Sequence, residues 1–184
     1  LYPEGEVRAI IRAVFHDRLG WDSAELMARA SASLSESELL RIHQPLKRLR
    51  AGEPLQYVLG HILFHGLRVR VGPQVLIPRP ETEELVDLII RSRRGPPRRI
   101  IDIGTGSGCI ALALKKRFPA AEVTGIDASV EALAVAEANA GLNGLDAAWQ
   151  RLDVLGEGVR LAASDLIVSN PPYVPLSEMG TLAP

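Results

Sequence analysis

The stretch Asp102-Ile103-Gly104-Thr105-Gly106-Ser107-Gly108 decides the fold, because it stands where one apolar run stops and an amphipathic one starts. Ile100 to Ile103 reads as a strand and Cys109 to Phe118 as a helix, so three glycines fill the turn between them. Glycines there admit positive φ and let the backbone approach a ligand closely, while free N–H groups of the starting helix face the ligand's anionic part. The alternation continues downstream. Val123 to Ile126 is a strand, Val130 to Ala140 a helix, Ala148 to Leu152 a weaker strand and Leu166 to Ser169 a strand. Continuous apolar strands separated by helices indicate an α/β fold, a parallel, doubly wound sheet covered on both faces.

Asp127 ends the second of these strands, 19 residues after Gly108, where a carboxylate would meet two ribose hydroxyls. A dinucleotide site prefers G-x-G-x-x-G/A, which asks for glycine or alanine at position 109, and that residue is Cys109. The spacing here is G-x-G-x-G preceded by the acid Asp102, the pattern of S-adenosylmethionine-dependent methyltransferases, whose cofactor has a carboxylate but no pyrophosphate. S-adenosyl-L-methionine is therefore the expected cofactor, with S-adenosyl-L-homocysteine as its product.

Asn170-Pro171-Pro172-Tyr173 follows the Leu166 to Ser169 strand, at the carboxyl edge where such sheets bind ligands. A proline-rich turn ending a strand is the plain alternative; a cofactor motif one fold unit away favours the functional reading. A planar amide nitrogen is a poor nucleophile because its lone pair is delocalised. The Asn170 side-chain oxygen and the Pro171 carbonyl could accept both N–H bonds of an –NH₂ group, orienting it and stabilising positive charge as it develops. Tyr173 could pack against the flat acceptor, and no general base is demanded.

Upstream, the pattern is helical. Val7, Ile10, Ile11, Val14 and Phe15 recur at helical spacing after Pro3. Asp22 with Glu25, and Ser35 with Glu38, resemble capping boxes opening helices at Ser23 and Glu36. Pro45 is expected to kink or split the third helix, and Gly52 with Pro54 to stop it. From Leu63 to Val71, Leu67, Val69 and Val71 alternate with Arg68 and Arg70, and Gly66 suits a hairpin turn. Pro78 and Pro80 then bracket Arg79 ahead of an acidic first helical turn, Glu81 to Glu84.

The 184 residues carry a net charge of -1, with 10 basic and 8 acidic residues up to position 75 and 11 and 14 after it. Neither part has the basic excess of a protein that grips many phosphates, so direct nucleic-acid binding is not expected. The single cysteine excludes an internal disulfide. No apolar stretch approaches the roughly 18 to 20 residues of a membrane span, and no charged-then-apolar leader opens the chain. A cytoplasmic protein is expected. The chain opens on Leu1 and closes on Pro184 shortly after the Asn170 motif, which leads to the expectation of a fragment.

These features resemble the protein-(glutamine-N5) methyltransferases of peptide chain release factors, the HemK or PrmC type. Three stretches carry the likeness: Gly52-Glu53-Pro54-Leu55-Gln56-Tyr57-Val58-Leu59-Gly60, then Leu76-Ile77-Pro78-Arg79-Pro80-Glu81-Thr82-Glu83, then the glycine turn together with Asn170-Pro171-Pro172-Tyr173. The resemblance implies methyl transfer to the glutamine of the release factor's Gly-Gly-Gln loop. Gly104, Thr105, Gly106, Ser107, Gly108 and Asp127 would hold the cofactor, with Asp153, Val154 and Asn170 beside it. Asn170, Pro171, Pro172 and Tyr173 would hold the glutamine, and the Arg79 to Glu83 segment, Arg79 and Glu81 among it, would line the same pocket. It further implies a helical substrate-docking domain over residues 1–60, a hairpin linker over 61–75 and a methyltransferase domain over 76–184. The family's sheet has seven strands, of which four are legible here, so a truncated Rossmann-like class I sheet with an uncovered Leu166 to Ser169 edge is expected. Peptide chain release factors are the expected partners of a monomer. A ribosomal-protein glutamine, a DNA or RNA amino group, and a noncatalytic cofactor-binding module are the alternatives.

Other reactive residues read as structural. His61 and His65 are four apart in extended chain with no carboxylate or cysteine completing a zinc set, so no metal is expected. His16 and His43 lie on helices without a partner, and Cys109 at a helix start lacks a histidine to serve it. Arg91, Arg93, Arg94, Arg98 and Arg99 read as a solvated linker.

Overall fold

The structure, a computed structural model, describes residues 3–171. The chain divides into two compact units, one running to Leu59 and the other starting at Gly60.

The first unit is helical: α1 (Glu4–Leu19), α2 (Ser23–Ala28), α3 (Glu36–Arg50) and α4 (Leu55–Leu59). Local chemistry sets the boundaries. Asp22 accepts the Glu25 N–H at the start of α2, and at α3 both halves of the Ser35/Glu38 capping box form. Gly20 ends α1 in the left-handed conformation, donating its N–H to the His16 carbonyl. Ile10, Val14, Ile42, Leu49 and Val58 form the core, with Phe15, Leu19, Leu55 and Leu59 packed against it. Val7 and Ile11, expected on the same face, are exposed, so the buried stripe of α1 is narrower than its apolar pattern. The expectation that Pro45 splits the third helix is not met: α3 runs through it, and Pro45 is buried. Burial on the core side offsets the one main-chain bond that proline cannot donate. The short α4 lies inside the Gly52 to Gly60 stretch, which sequence periodicity left without a helix.

In the second unit a two-stranded antiparallel hairpin, β1 (His61–Phe64) and β2 (Leu67–Arg70), turns through His65 and Gly66, both at positive φ. Two consecutive left-handed residues match the twist of the flanking strands. The Glu83 carboxylate accepts the His65 N–H at 2.7 Å, and the His65 ring Nε2 lies 3.0 Å from the Glu83 carbonyl. Helix α5 (Pro80–Ser92), started by Pro80, thereby braces the turn.

A four-stranded parallel sheet follows, in the order β5-β4-β3-β6, from β3 (Arg99–Ile103), β4 (Glu122–Asp127), β5 (Ala148–Arg151) and β6 (Leu166–Ser169). The registers Asp102↔Gly125 and Asp102↔Val168 bring the carboxyl ends of β3, β4 and β6 level. Helices α6 (Cys109–Arg117) and α7 (Val130–Asn143) are the crossovers. The doubly wound reading holds in strand order and direction, and β6 is an edge of the sheet as described.

Tight packing runs beneath the glycine turn. A Cβ on Gly125 would stand 2.6 Å from Trp149 Cε3 and 2.8 Å from Thr105 Oγ1. The β4 glycine is what lets Trp149 of the neighbouring strand lie across it.

Candidate active site

The turn from Gly104 to Gly108 leaves β3 with all three glycines at positive φ, at 67°, 55° and 77°. A Cβ at Gly104 or Gly106 would meet no atom within 4 Å, so these positions border open space. Gly108 differs, since a Cβ there would press on Trp149 Cη2 at 2.9 Å and Ala136 Cβ at 3.0 Å. Gly104 and Gly106 thus supply an accessible backbone, and Gly108 a close approach to α7.

Asp127, at the end of β4, accepts the Gly106 N–H at 2.9 Å on one oxygen and the Ser129 N–H at 3.0 Å on the other. Its carboxylate is half-buried and tied to the turn by the first of these bonds. Thr105 and Ser107 turn inward: both are buried, and Thr105 Oγ1 donates to Asp102 Oδ2 at 2.6 Å. Contact between those two residues and a ligand would come from their main chain.

Asp102 lies beneath the turn, 1% exposed. Its Oδ2 also accepts the Ala111 N–H at 3.2 Å, while Oδ1 is buried without a hydrogen-bond partner. Burial pushes its carboxyl up to about 7 despite those two bonds, with the charge of Asp127 adding to the rise. Burial likewise pushes the Cys109 thiol up to about 12, outweighing any help from the helix start, so this cysteine stays a neutral packing residue.

Asn170 follows β6, beside β3 in the sheet, and its Nδ2 donates to the buried Thr82 Oγ1 at 3.1 Å. The bond joins the Asn170 motif to the Pro78 to Glu83 stretch across 88 residues. Thr82 was expected only as part of the Arg79 to Glu83 segment lining the pocket; its bond to Asn170 was not, because a threonine in a helical first turn offers no signal of a long-range partner. Arg79 and Glu81, on either side of Pro80, are exposed. Asp153 is exposed and accepts the Leu155 N–H at 3.0 Å, while Val154 is half-buried. Pro171 is exposed; Pro172 and Tyr173 lie outside the described residues.

The structure therefore brings together, at neighbouring strand ends, an open glycine turn, a carboxylate bonded to it, and an asparagine amide held by a buried hydroxyl. The fold is that of class I methyltransferases, and the chain belongs to the methyltransferase small domain family, whose model matches residues 82–181. Residues 3–60 match the PrmC N-terminal domain.

Among curated proteins, a release factor glutamine methyltransferase of Bacteroides thetaiotaomicron is 42% identical over 179 residues, 97% of this chain and 64% of that protein. One from Deinococcus radiodurans is 37% identical over 187 residues, 99% of this chain and 64% of that protein. The chain thus spans less than two thirds of the length of these relatives. Among solved structures, the T. thermophilus 16S rRNA N2 G1207 methyltransferase is similar with a TM-score of 0.53 and 23% identity, covering 62% of this chain and 32% of that one. The Pyrococcus abyssi tRNA (uracil-54, C5)-methyltransferase follows at 0.51 and 21%, covering 61% and 28%. At such identities these two structures speak for the fold alone. No helix among the described residues is long and apolar enough to cross a membrane.

Proposed function

We propose that this chain carries the S-adenosylmethionine site and the acceptor loop of an enzyme that methylates the glutamine amide in the Gly-Gly-Gln motif of peptide chain release factors. The observation that carries the reading is the convergence of the glycine turn, Asp127 and Asn170 at the ends of β3, β4 and β6. The curated relatives named release factor glutamine methyltransferases support the choice of substrate.

The residues present fit the cofactor: Gly104 and Gly106 leave open space above the turn, and Asp127 stands next to it. When bound, S-adenosylmethionine supplies an electrophilic methyl group on a sulfonium. Main-chain N–H groups of the turn and the start of α6 would hold its carboxylate. Asp127 would accept ribose hydroxyls through lone pairs beyond the two that Gly106 and Ser129 engage. Val154, following Asp153, would lie beside the adenine.

Asn170 and Pro171 act on the substrate. The Asn170 Nδ2 donates a hydrogen bond to Thr82 Oγ1, which orients that amide. The Asn170 oxygen and the Pro171 carbonyl would then accept the two N–H bonds of the substrate –NH₂, and Pro172 and Tyr173 would complete the hold on the glutamine. Both acceptors stabilise positive charge as it grows on nitrogen, after which the methylated nitrogen is acidic and sheds its proton. Arg79 and Glu81, exposed beside Thr82, would line the approach of the peptide. The helical unit over residues 1–60 docks the release factor, 61–75 links it, and 76–184 carries the transfer. The enzyme works as a cytoplasmic monomer.

The test is methyl transfer from labelled S-adenosylmethionine to a release factor, a ribosomal protein and DNA in parallel. Label on the Gly-Gly-Gln glutamine, lost when that glutamine is replaced by glutamate, is expected. Transfer to DNA or the ribosomal protein alone would overturn the substrate, and no transfer to any of them would overturn the activity.

A further inference from the structure

Helix α7 carries two asparagines one turn apart, Asn139 and Asn143, and both engage the edge of the hairpin. Asn143 Oδ1 accepts the Arg68 N–H at 3.1 Å and its Nδ2 donates to the Arg68 carbonyl at 2.9 Å. Asn139 Oδ1 accepts the Arg70 N–H at 2.7 Å and its Nδ2 donates to the Arg70 carbonyl at 3.1 Å. Alternate residues of an edge strand point their N–H and C=O the same way, so side-chain amides at i and i+4 of a helix can pair with them as a further strand would. In that task the two asparagines are equivalent.

They differ in their further partners: the Asn143 Nδ2 also donates to the Asn139 main-chain carbonyl at 2.8 Å, a bond within α7. Asn139 is 0% exposed, and its Nδ2 also donates to the Ser107 carbonyl at 2.9 Å, inside the glycine turn. That carbonyl belongs to the same peptide plane as the Gly108 N–H, which donates to the Thr105 carbonyl at 2.8 Å. The 107–108 peptide is thus bonded at both ends, and rotating it would change φ of Gly108, which stands at 77° against Ala136 of the same helix. A glycine can populate either sign of φ at little cost. The left-handed state is therefore held by these bonds, one from inside the turn and one, from Asn139, outside it.

We infer that Asn139 is a positioning residue for the cofactor: it locks the 107–108 peptide plane, keeping the Ser107 carbonyl turned toward α7, while the same amide zips the hairpin to the helix. The inference rests on the reading of the glycine turn as the S-adenosylmethionine site. Without the Nδ2 donor the Ser107 carbonyl is left buried and unpaired, and the turn relaxes toward other conformers. Asn143 provides the internal control, since it shares the hairpin contact and not the turn contact.

The experiment measures S-adenosylhomocysteine affinity by calorimetry and Tm in the absence of ligand for the wild-type chain, Asn139→Leu and Asn143→Leu. Both variants are expected to lower Tm, but only Asn139→Leu should weaken binding, by about 10-fold or more, with Asn143→Leu within about twofold of wild type. Equal affinity losses in the two variants, or no loss in Asn139→Leu, would overturn the positioning role. Should Asn139→Leu fail to fold, NMR of the wild-type chain decides. The Asn139 Nδ2 protons are expected to shift on ligand addition while those of Asn143 stay, and an unmoved Asn139 signal overturns the inference. A wild-type chain that binds no S-adenosylhomocysteine overturns the cofactor reading itself, and the inference with it.

Discussion

Asp102 has one carboxyl oxygen bonded to Thr105 and Ala111 and the other buried without a partner, a natural seat for a proton. Its folded-state value of about 7 lies above the ordinary 3.8, so between these the folded chain keeps a proton the unfolded chain has lost. Its contribution to stability is complete below about pH 4 and is lost as pH rises through about 7. Raising the pH from 5 to 8 should lower Tm in the wild-type chain, and Asp102→Asn should flatten that slope; equal slopes in thermal melts would contradict it. At the acceptor end, Thr82→Val removes the hydroxyl that orients Asn170 and should lower kcat about 10-fold while leaving S-adenosylhomocysteine affinity within twofold. On the proposed reaction, Asn170→Ala removes an acceptor of the substrate amide and should cost about 10²-fold or more in kcat, again with little change in cofactor affinity. Steady-state kinetics beside calorimetry separates the two effects.

Elements are joined here by side chains that replace missing main-chain partners. Helix α3 begins with a closed capping box, and Ser35→Ala should destabilise the helical unit by about 1 kcal/mol, read as a lower urea midpoint. The sheet depends on absent side chains as much as on present ones. Gly125→Ala drives a methyl into Trp149 and Thr105 and should cost roughly 1–3 kcal/mol. Wild-type stability in that variant would mean Trp149 is not seated across β4. Strand positions and capping residues were legible in the sequence because apolar spacing, glycine and the Ser/Asp signals are local. The course of α3 through Pro45 was not, because it depends on what packs against the proline.

At the scale of the whole chain, a ligand that binds only the folded state raises Tm, and at 100 times its Kd it adds about 2.7 kcal/mol. S-adenosylhomocysteine should therefore shift the melt of the unit that starts at Gly60, and NAD should not, since the turn has Cys109 where a dinucleotide site wants glycine or alanine. A larger shift with NAD would reverse the cofactor assignment. The sheet is read from four strands in a chain that covers 64% of its Bacteroides relative, and β6 is its edge as described.

By itself the sequence determined the order of strands and helices from Ile100 onward, the glycine turn, the acid at each of two strand ends and the Asn170 motif. Each follows from backbone stereochemistry or from the period of apolar residues over a few positions. Only the tertiary structure decided that Thr82 meets Asn170 across 88 residues and that Asn139 meets Arg70 across 69. It also decided that Asp102 loses its solvent. Those contacts arise where crossovers return distant segments to one sheet edge, and no spacing along the chain encodes which polar side chain will then be left to satisfy which buried group.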